Sequence, residues 1–158
     1  ALQVTTYKKL SSTSDMVGKI SLFGKTITGL SDDVRISKRL NVPASRLRGF
    51  QRGKVGPVEN NDYIGGNYVS SLNFSATLPN LVQGLDNLDV GVFVDAANIW
   101  GVDYDSSIDD KSTLRSSTGV ALNLMTPIGP LSFSFANALS KASTDKTETF
   151  RFNLGTQF

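Results

Sequence analysis

The chain has 158 residues, enough for one domain, with no Cys and no His. Those absences exclude disulfides and Cys-ligated zinc, and remove the commonest metal ligand and the usual catalytic base. The net charge of +2, from sixteen Lys and Arg interspersed with fourteen Asp and Glu, is too small to suggest a nucleic-acid partner, and no aromatic and basic residues interleave to stack a single strand. No apolar run reaches the roughly 18 residues of a transmembrane helix. Transmembrane strands remain open, because they alternate lipid-facing and lumen-facing residues and leave mean hydropathy unremarkable. No signal peptide opens the chain, and Ala1 falls directly in a strand pattern, so the sequence reads as part of something longer.

Residues 1–10 and 16–29 alternate in the strand manner, but loosely and with several Lys. Residues 31–62 read as neither helix nor strand, and connections beyond about 15 residues without structure are usually functional or disordered. This one carries Leu47, Arg48, Gly49 and Phe50: a guanidinium, a flexible residue and an aromatic ring in succession. An Arg inside a barrel needs a carboxylate, because burying it unpaired costs several kcal/mol or more. Residues 66–78 then place Tyr68, Leu72, Phe74, Ala76 and Leu78 on one face, and Asn67, Ser71, Asn73, Ser75 and Thr77 on the other. Residues 88–100 repeat the pattern, with Leu88, Val90, Val92, Val94, Ala96 and Trp100 opposite Asp89, Gly91, Phe93, Asp95 and Ala97. The alternation puts Asp95 on the inner face, within reach of a folded-in Arg48.

Residues 101–114 form a long acidic stretch with Asp103, Asp105, Asp109 and Asp110. It is expected to be a solvated external loop; a weak divalent-cation site is the alternative, although the spacing does not match an EF-hand. Strand alternation resumes over 115–126 and 131–136, joined by a tight turn at 127–130. A polar loop at 141–148 leads to a closing segment in which Phe150, Phe152, Leu154 and Phe158 alternate with Arg151, Asn153, Gly155 and Gln157.

The expectation is an all-β protein with seven antiparallel strands and connections that alternate between short and long, as in an outer-membrane barrel. Segments near 10 residues suit a tilted span of the bilayer. Tyr68, Trp100, Tyr104 and Phe158 are candidates for the interfacial aromatic girdle. A soluble sandwich or lipocalin-like barrel alternates too, but gains little from closing its chain on an outward-facing ring. An odd strand count cannot close as a bacterial single-chain barrel, so further strands are expected before Ala1 or from a second chain.

Four motifs in order carry a family resemblance over residues 40–158: Leu47-Arg48-Gly49-Phe50; Ile64-Gly65-Gly66-Asn67; Phe93-Val94-Asp95-Ala96-Ala97; and the turn 126–131 with the closing strand 150–158. With them the chain resembles the C-terminal part of the BamA-like outer-membrane insertase superfamily. The resemblance implies a transmembrane barrel of about sixteen strands when complete, of which this chain is the last part. First strands and periplasmic POTRA domains would lie outside residues 1–158. It also implies that 31–62 folds back into the lumen and that Arg48 pairs with Asp95. One departure matters: where the family often has an acidic residue, 73–79 has no carboxylate, so Arg48 is expected to depend on Asp95 alone.

The implied function is non-enzymatic folding and insertion of β-barrel proteins into a Gram-negative outer membrane, without cofactor or metal. The partners would be unfolded barrel clients, outer-membrane lipids and accessory lipoproteins, not nucleic acid. The working element would be a weakly paired seam at the last strand, with Phe150, Phe152, Leu154, Gly155 and Phe158. Protein export through the lumen, as in the related two-partner-secretion transporters, is the alternative. The pattern at 64–69 and the chain end resembles an alphaproteobacterial member, with the mitochondrial outer membrane as the other location.

Overall fold

The computed structural model describes residues 1–79 and 81–155. Its strands are β1 (Leu2–Lys9), β2 (Val17–Thr26), β3 (Val58–Glu59), β4 (Asp62–Tyr63), β5 (Tyr68–Pro79), β6 (Leu88–Trp100), β7 (Arg115–Thr126), β8 (Gly129–Ser140) and β9 (Phe150–Leu154). Seven of them form one antiparallel sheet in the order β1-β2-β5-β6-β7-β8-β9, and β3 pairs with β4 apart from it. Each strand of the sheet lies beside its predecessor, and β1 and β9 are open edges. Among the described residues no helix is long and apolar enough to cross a membrane, which says nothing about crossing by strands.

Register turns the alternation into rows across the sheet. One row runs Ala76, Val92, Val120, Phe135, Phe150; the next runs Leu78, Val90, Leu122, Phe133, Phe152. Leu72, Phe74, Val92, Val94, Val120, Phe135, Phe150, Phe152 and Leu154 are all exposed. An apolar band this broad is far beyond the scattered exposed side chains of a soluble surface, and it suits hydrocarbon. Phe133 packs at 5.1 Å from Phe152 and Phe135 at 5.1 Å from Phe150, so aromatic pairs hold the last two strands together on the outer face.

The inner face reads Ser21, Asn73, Asp95, Ser117 along one row. Small and polar side chains there leave room for the long connection between β2 and β5. That connection supplies most of the apolar core: Leu40, Val42, Leu47, Phe50 and Val55 pack on Val69, Ala97 and Ile99 of the wall. Residues 31–62 are therefore not structureless. They contain 3-10 turns at Ile36–Lys38 and Ala44–Arg46 and the β3–β4 hairpin. Asn60 and Asn61 make that hairpin at φ 49° and 68°, the left-handed pair that a tight two-residue turn requires.

Two boundaries and one side-chain role differ from the sequence reading. β8 runs to Ser140, past the alternation that ends at Ala136, and a register shift at Ser116/Ser117 lies opposite its extra length. β9 ends at Leu154, and the Gln157 and Phe158 of the closing pattern lie outside the described residues. Of the girdle candidates, Tyr68 and Trp100 stack at 5.6 Å, but Tyr104 turns away from that role. Its ring covers the Arg39 guanidinium and its hydroxyl donates to Glu59.

Candidate functional site: a loop clamped inside the wall

Asp95 is fully buried in the middle of β6 and faces the loop. The Arg48 guanidinium meets it as a fork, Nε to Oδ2 at 2.7 Å and Nη2 to Oδ1 at 2.7 Å, and the Arg48 backbone N–H donates to Oδ2 at 3.1 Å. Asn73, one strand over in the same row, donates to Oδ1 at 2.9 Å and to the Arg46 carbonyl at 2.7 Å. Both carboxylate oxygens are thus satisfied, as a buried charge requires. The Arg48 guanidinium also lies 3.6 Å from the centroid of Phe93, a near neighbour of Asp95 on the same face.

The residues around Arg48 explain how the loop gets so close. Leu47 and Phe50 are each 2% exposed and anchor it in the apolar core. Gly49 has φ +87°, and a Cβ there would lie 3.0 Å from the Ala136 side chain and 3.3 Å from that of Ser117. A side chain at this position would push the loop off β7 and β8. Gly66 matters through close approach instead: its backbone exchanges hydrogen bonds with Leu40 at 2.9 and 3.0 Å, and a Cβ would strike the Trp100 carbonyl at 2.5 Å. Gly65, at φ +74°, makes the bend that brings the chain there, and Ala97 forms part of the floor under the loop.

Further clamps emerge that the sequence reading did not contain. Arg115, at the start of β7, donates from Nε to Asp145 Oδ2 at 2.8 Å and from Nη2 to Oδ1 at 3.2 Å. Asp145 in turn accepts the Gly56 N–H at 3.2 Å, so the segment 141–148 is more than a polar loop: it holds the far side of the luminal loop. The backbones of the two also pair, Gln51 N to Lys146 O at 2.9 Å and Glu148 N to Gly49 O at 3.0 Å. Arg151 of β9 reaches the Ala44 carbonyl at 2.7 Å and also donates to Phe50 O and Glu148. Arg115, Ser117 and Arg151 share the inner-face phase of Asp95, and that phase was the one signal by which the sequence could have indicated them.

The acidic stretch 101–114 is only partly the solvated loop expected. Asp103 accepts from the buried Arg39 guanidinium, from Asn67 Nδ2 at 2.9 Å and from the Val34 N–H at 3.1 Å. Burial raises its carboxyl, but these donors more than offset that and hold it at about 2, against an ordinary 3.8. Asp105, Asp109 and Asp110 accept local backbone N–H groups. Among the described residues no group of three or more acidic side chains converges as a metal site would require.

On β9, Phe150, Phe152 and Leu154 face outward and are half-exposed. Gly155 follows at φ +111°, its N–H bonded to the Pro130 carbonyl at 2.9 Å, and Phe158 lies outside the described residues.

An antiparallel wall with a lipid-suited outer band and a long loop clamped to its polar inner face is the architecture of one side of a transmembrane β-barrel. The Omp85 superfamily domain matches the chain over residues 1–158, and the chain belongs to that superfamily. It is 31% identical to the outer membrane protein assembly factor BamA of Neisseria meningitidis serogroup B, over 71% of this chain and 17% of the relative. It is 30% identical to the protein of the same name from the alphaproteobacterium Neorickettsia risticii, over 72% of this chain and 16% of the relative. The crystal structure of BamA from Haemophilus ducreyi lacking POTRA domains 1-3 superposes with a TM-score of 0.79 at 28% identity, covering 95% of this chain and 33% of that one. The chain thus spans about a sixth of the length of these curated relatives.

Proposed function

We propose that this chain is the C-terminal wall of a barrel that folds and inserts other β-barrel proteins into a Gram-negative outer membrane, through a lateral seam at β9. First strands and POTRA domains would complete it. The observation that carries the reading is the position of β9 at an open edge of the sheet, where among the described residues it pairs with β8 alone. An edge strand can part from its neighbour across the seam and offer unpaired backbone groups to an incoming strand. The work is non-covalent and uses no cofactor. Unfolded barrel proteins are the clients, the exposed Phe150 and Phe152 meet outer-membrane lipid, and accessory lipoproteins assist.

The test is a disulfide in the full-length protein between Asn153 and the facing position on the first strand of the complete barrel. Closing it should abolish client insertion and reduction should restore it, with the fold intact in both states. Gly155→Val should weaken insertion in the same direction, because φ +111° is a conformation a branched side chain resists. Normal insertion with the seam fully crosslinked would falsify the gate and move the preference to export through the lumen.

A further inference from the structure

The tip of the luminal loop crosses the wall strand by strand. Arg48 is fastened to Asp95 on β6. Its carbonyl accepts from Ser117 Oγ on β7. Gly49 lies against Ala136 on β8. The Phe50 carbonyl accepts from Arg151 on β9. Three consecutive residues therefore span four consecutive strands, and Arg151 is the last fastening. Its side chain is 12% exposed, and its guanidinium divides its donors among Ala44 O, Phe50 O and Glu148 Oε1. Ala44 and Phe50 lie more than a hundred residues earlier in the chain, so these bonds join two parts of the chain that are remote in sequence.

We propose that Arg151 is a positioning residue that ties the last strand to the luminal loop, so that docking of the loop on Asp95 sets how firmly β9 is held. The inference rests on the seam reading above and extends it, naming what inside the barrel governs the seam strand. The physical ground is the balance of holds on β9. Its aromatic contacts are on the outer face, whereas on the inner face Arg151 is the β9 side chain that hydrogen-bonds the loop, the backbone of the preceding segment adding Glu148 N to Gly49 O and Gln51 N to Lys146 O. A planar fork with five N–H donors can serve two carbonyls and a carboxylate together; a Lys ammonium cannot span them. Arg48 and Arg151 grip either side of Gly49, so freeing one lets the tip move away from the other.

Hydrogen exchange at the β9 amides of the full-length protein in micelles tests the tie. The variants are Arg48→Ala, Arg151→Ala, Arg151→Lys and Arg48→Ala combined with each, all first shown by heat-modified gel mobility to have a folded barrel. Arg151→Ala should speed exchange over 150–154 by roughly tenfold or more, the scale of one lost charged hydrogen bond. Arg48→Ala should speed it too, although Arg48 bonds to β6 and β7. The combined variant should be no faster than the faster single one, and Arg151→Lys should fail to restore protection. If Arg151→Ala does not fold, Arg151→Lys carries the same comparison. Additive effects, or full protection with Lys, overturn the tie. Client insertion is read on the same variants. Non-additive exchange with normal insertion leaves the tie standing and counts against the seam reading instead.

Discussion

Arg48 and Asp95 show how much one pair can do in a lumen. Asp95 has no exposure while the Arg48 side chain keeps 22%, so removing Arg48 would leave a buried carboxylate without its cation, at a cost of up to about 3–5 kcal/mol. Asn73 lies in the stretch 73–79 that has no carboxylate, and its neutral amide donates to Asp95 without adding a second negative charge. Arg48→Ala or Asp95→Ala should each loosen the loop and impair assembly in the full-length protein. The double variant should lose clearly less than the sum of the two, measured as thermal stability and as client insertion. Strictly additive losses would mean that the pair does not form in the membrane. Asp103 makes a second residue-scale prediction. Its carboxyl is held below the ordinary 3.8, so its hold on Arg39, Asn67 and the Val34 N–H is present above about pH 4 and is lost as the pH falls through about 2. A spin label at Ser106 should become mobile over that range, and Asp103→Asn should show the mobile spectrum already at neutral pH.

At the scale of elements, the alternation is a statement about two solvents. The long strands present a largely Val, Leu and Phe face outward and mostly small or polar residues inward, apart from Phe93 and Ile99 of β6, which pack under the loop. The small inner residues are what admit a folded loop. The loop answers with an apolar cluster of its own, Leu40, Val42, Leu47, Phe50 and Val55, so that burial and the ion pairs act on the same segment. The segments at that end of the sheet are fastened to one another as well: Arg115 with Asp145 and Arg39 with Asp103 tie three connections together. Against that background β9 lies at an open edge of the sheet, the position that the proposed seam requires.

The whole sheet has two open edges, and open edges are not tolerated in hydrocarbon, where each unpaired backbone group costs several kcal/mol. Residues 1–158 expressed alone and refolded in detergent should therefore stay aggregated or open. A monomeric, protease-resistant species with heat-shifted gel mobility would show instead that this wall can close on itself. The curated relatives, of which the chain spans about a sixth, are long enough to supply the remaining wall.

The seven-stranded meander, its two faces and the inward direction of Asp95 were legible in the residues, because a period of two depends only on local backbone geometry. The loop motif, too, stood out by residue type. What tertiary structure decided is which side chains meet. Asn73, Asp95 and Ser117 form one row only once the register is set, and register depends on pairing between strands tens of residues apart. Arg151 could be placed on the inner face by phase, yet its partners Ala44 and Phe50 lie in a loop whose path follows no period. The β3–β4 hairpin was missed for a related reason: two residues per strand are too few to show alternation, and its Asn60-Asn61 turn is a weaker signal than Asn-Gly. Local periodicity is written in the chain; the closure of a long loop onto a wall is a balance of burial, charge pairing and chain entropy that only the assembled fold resolves.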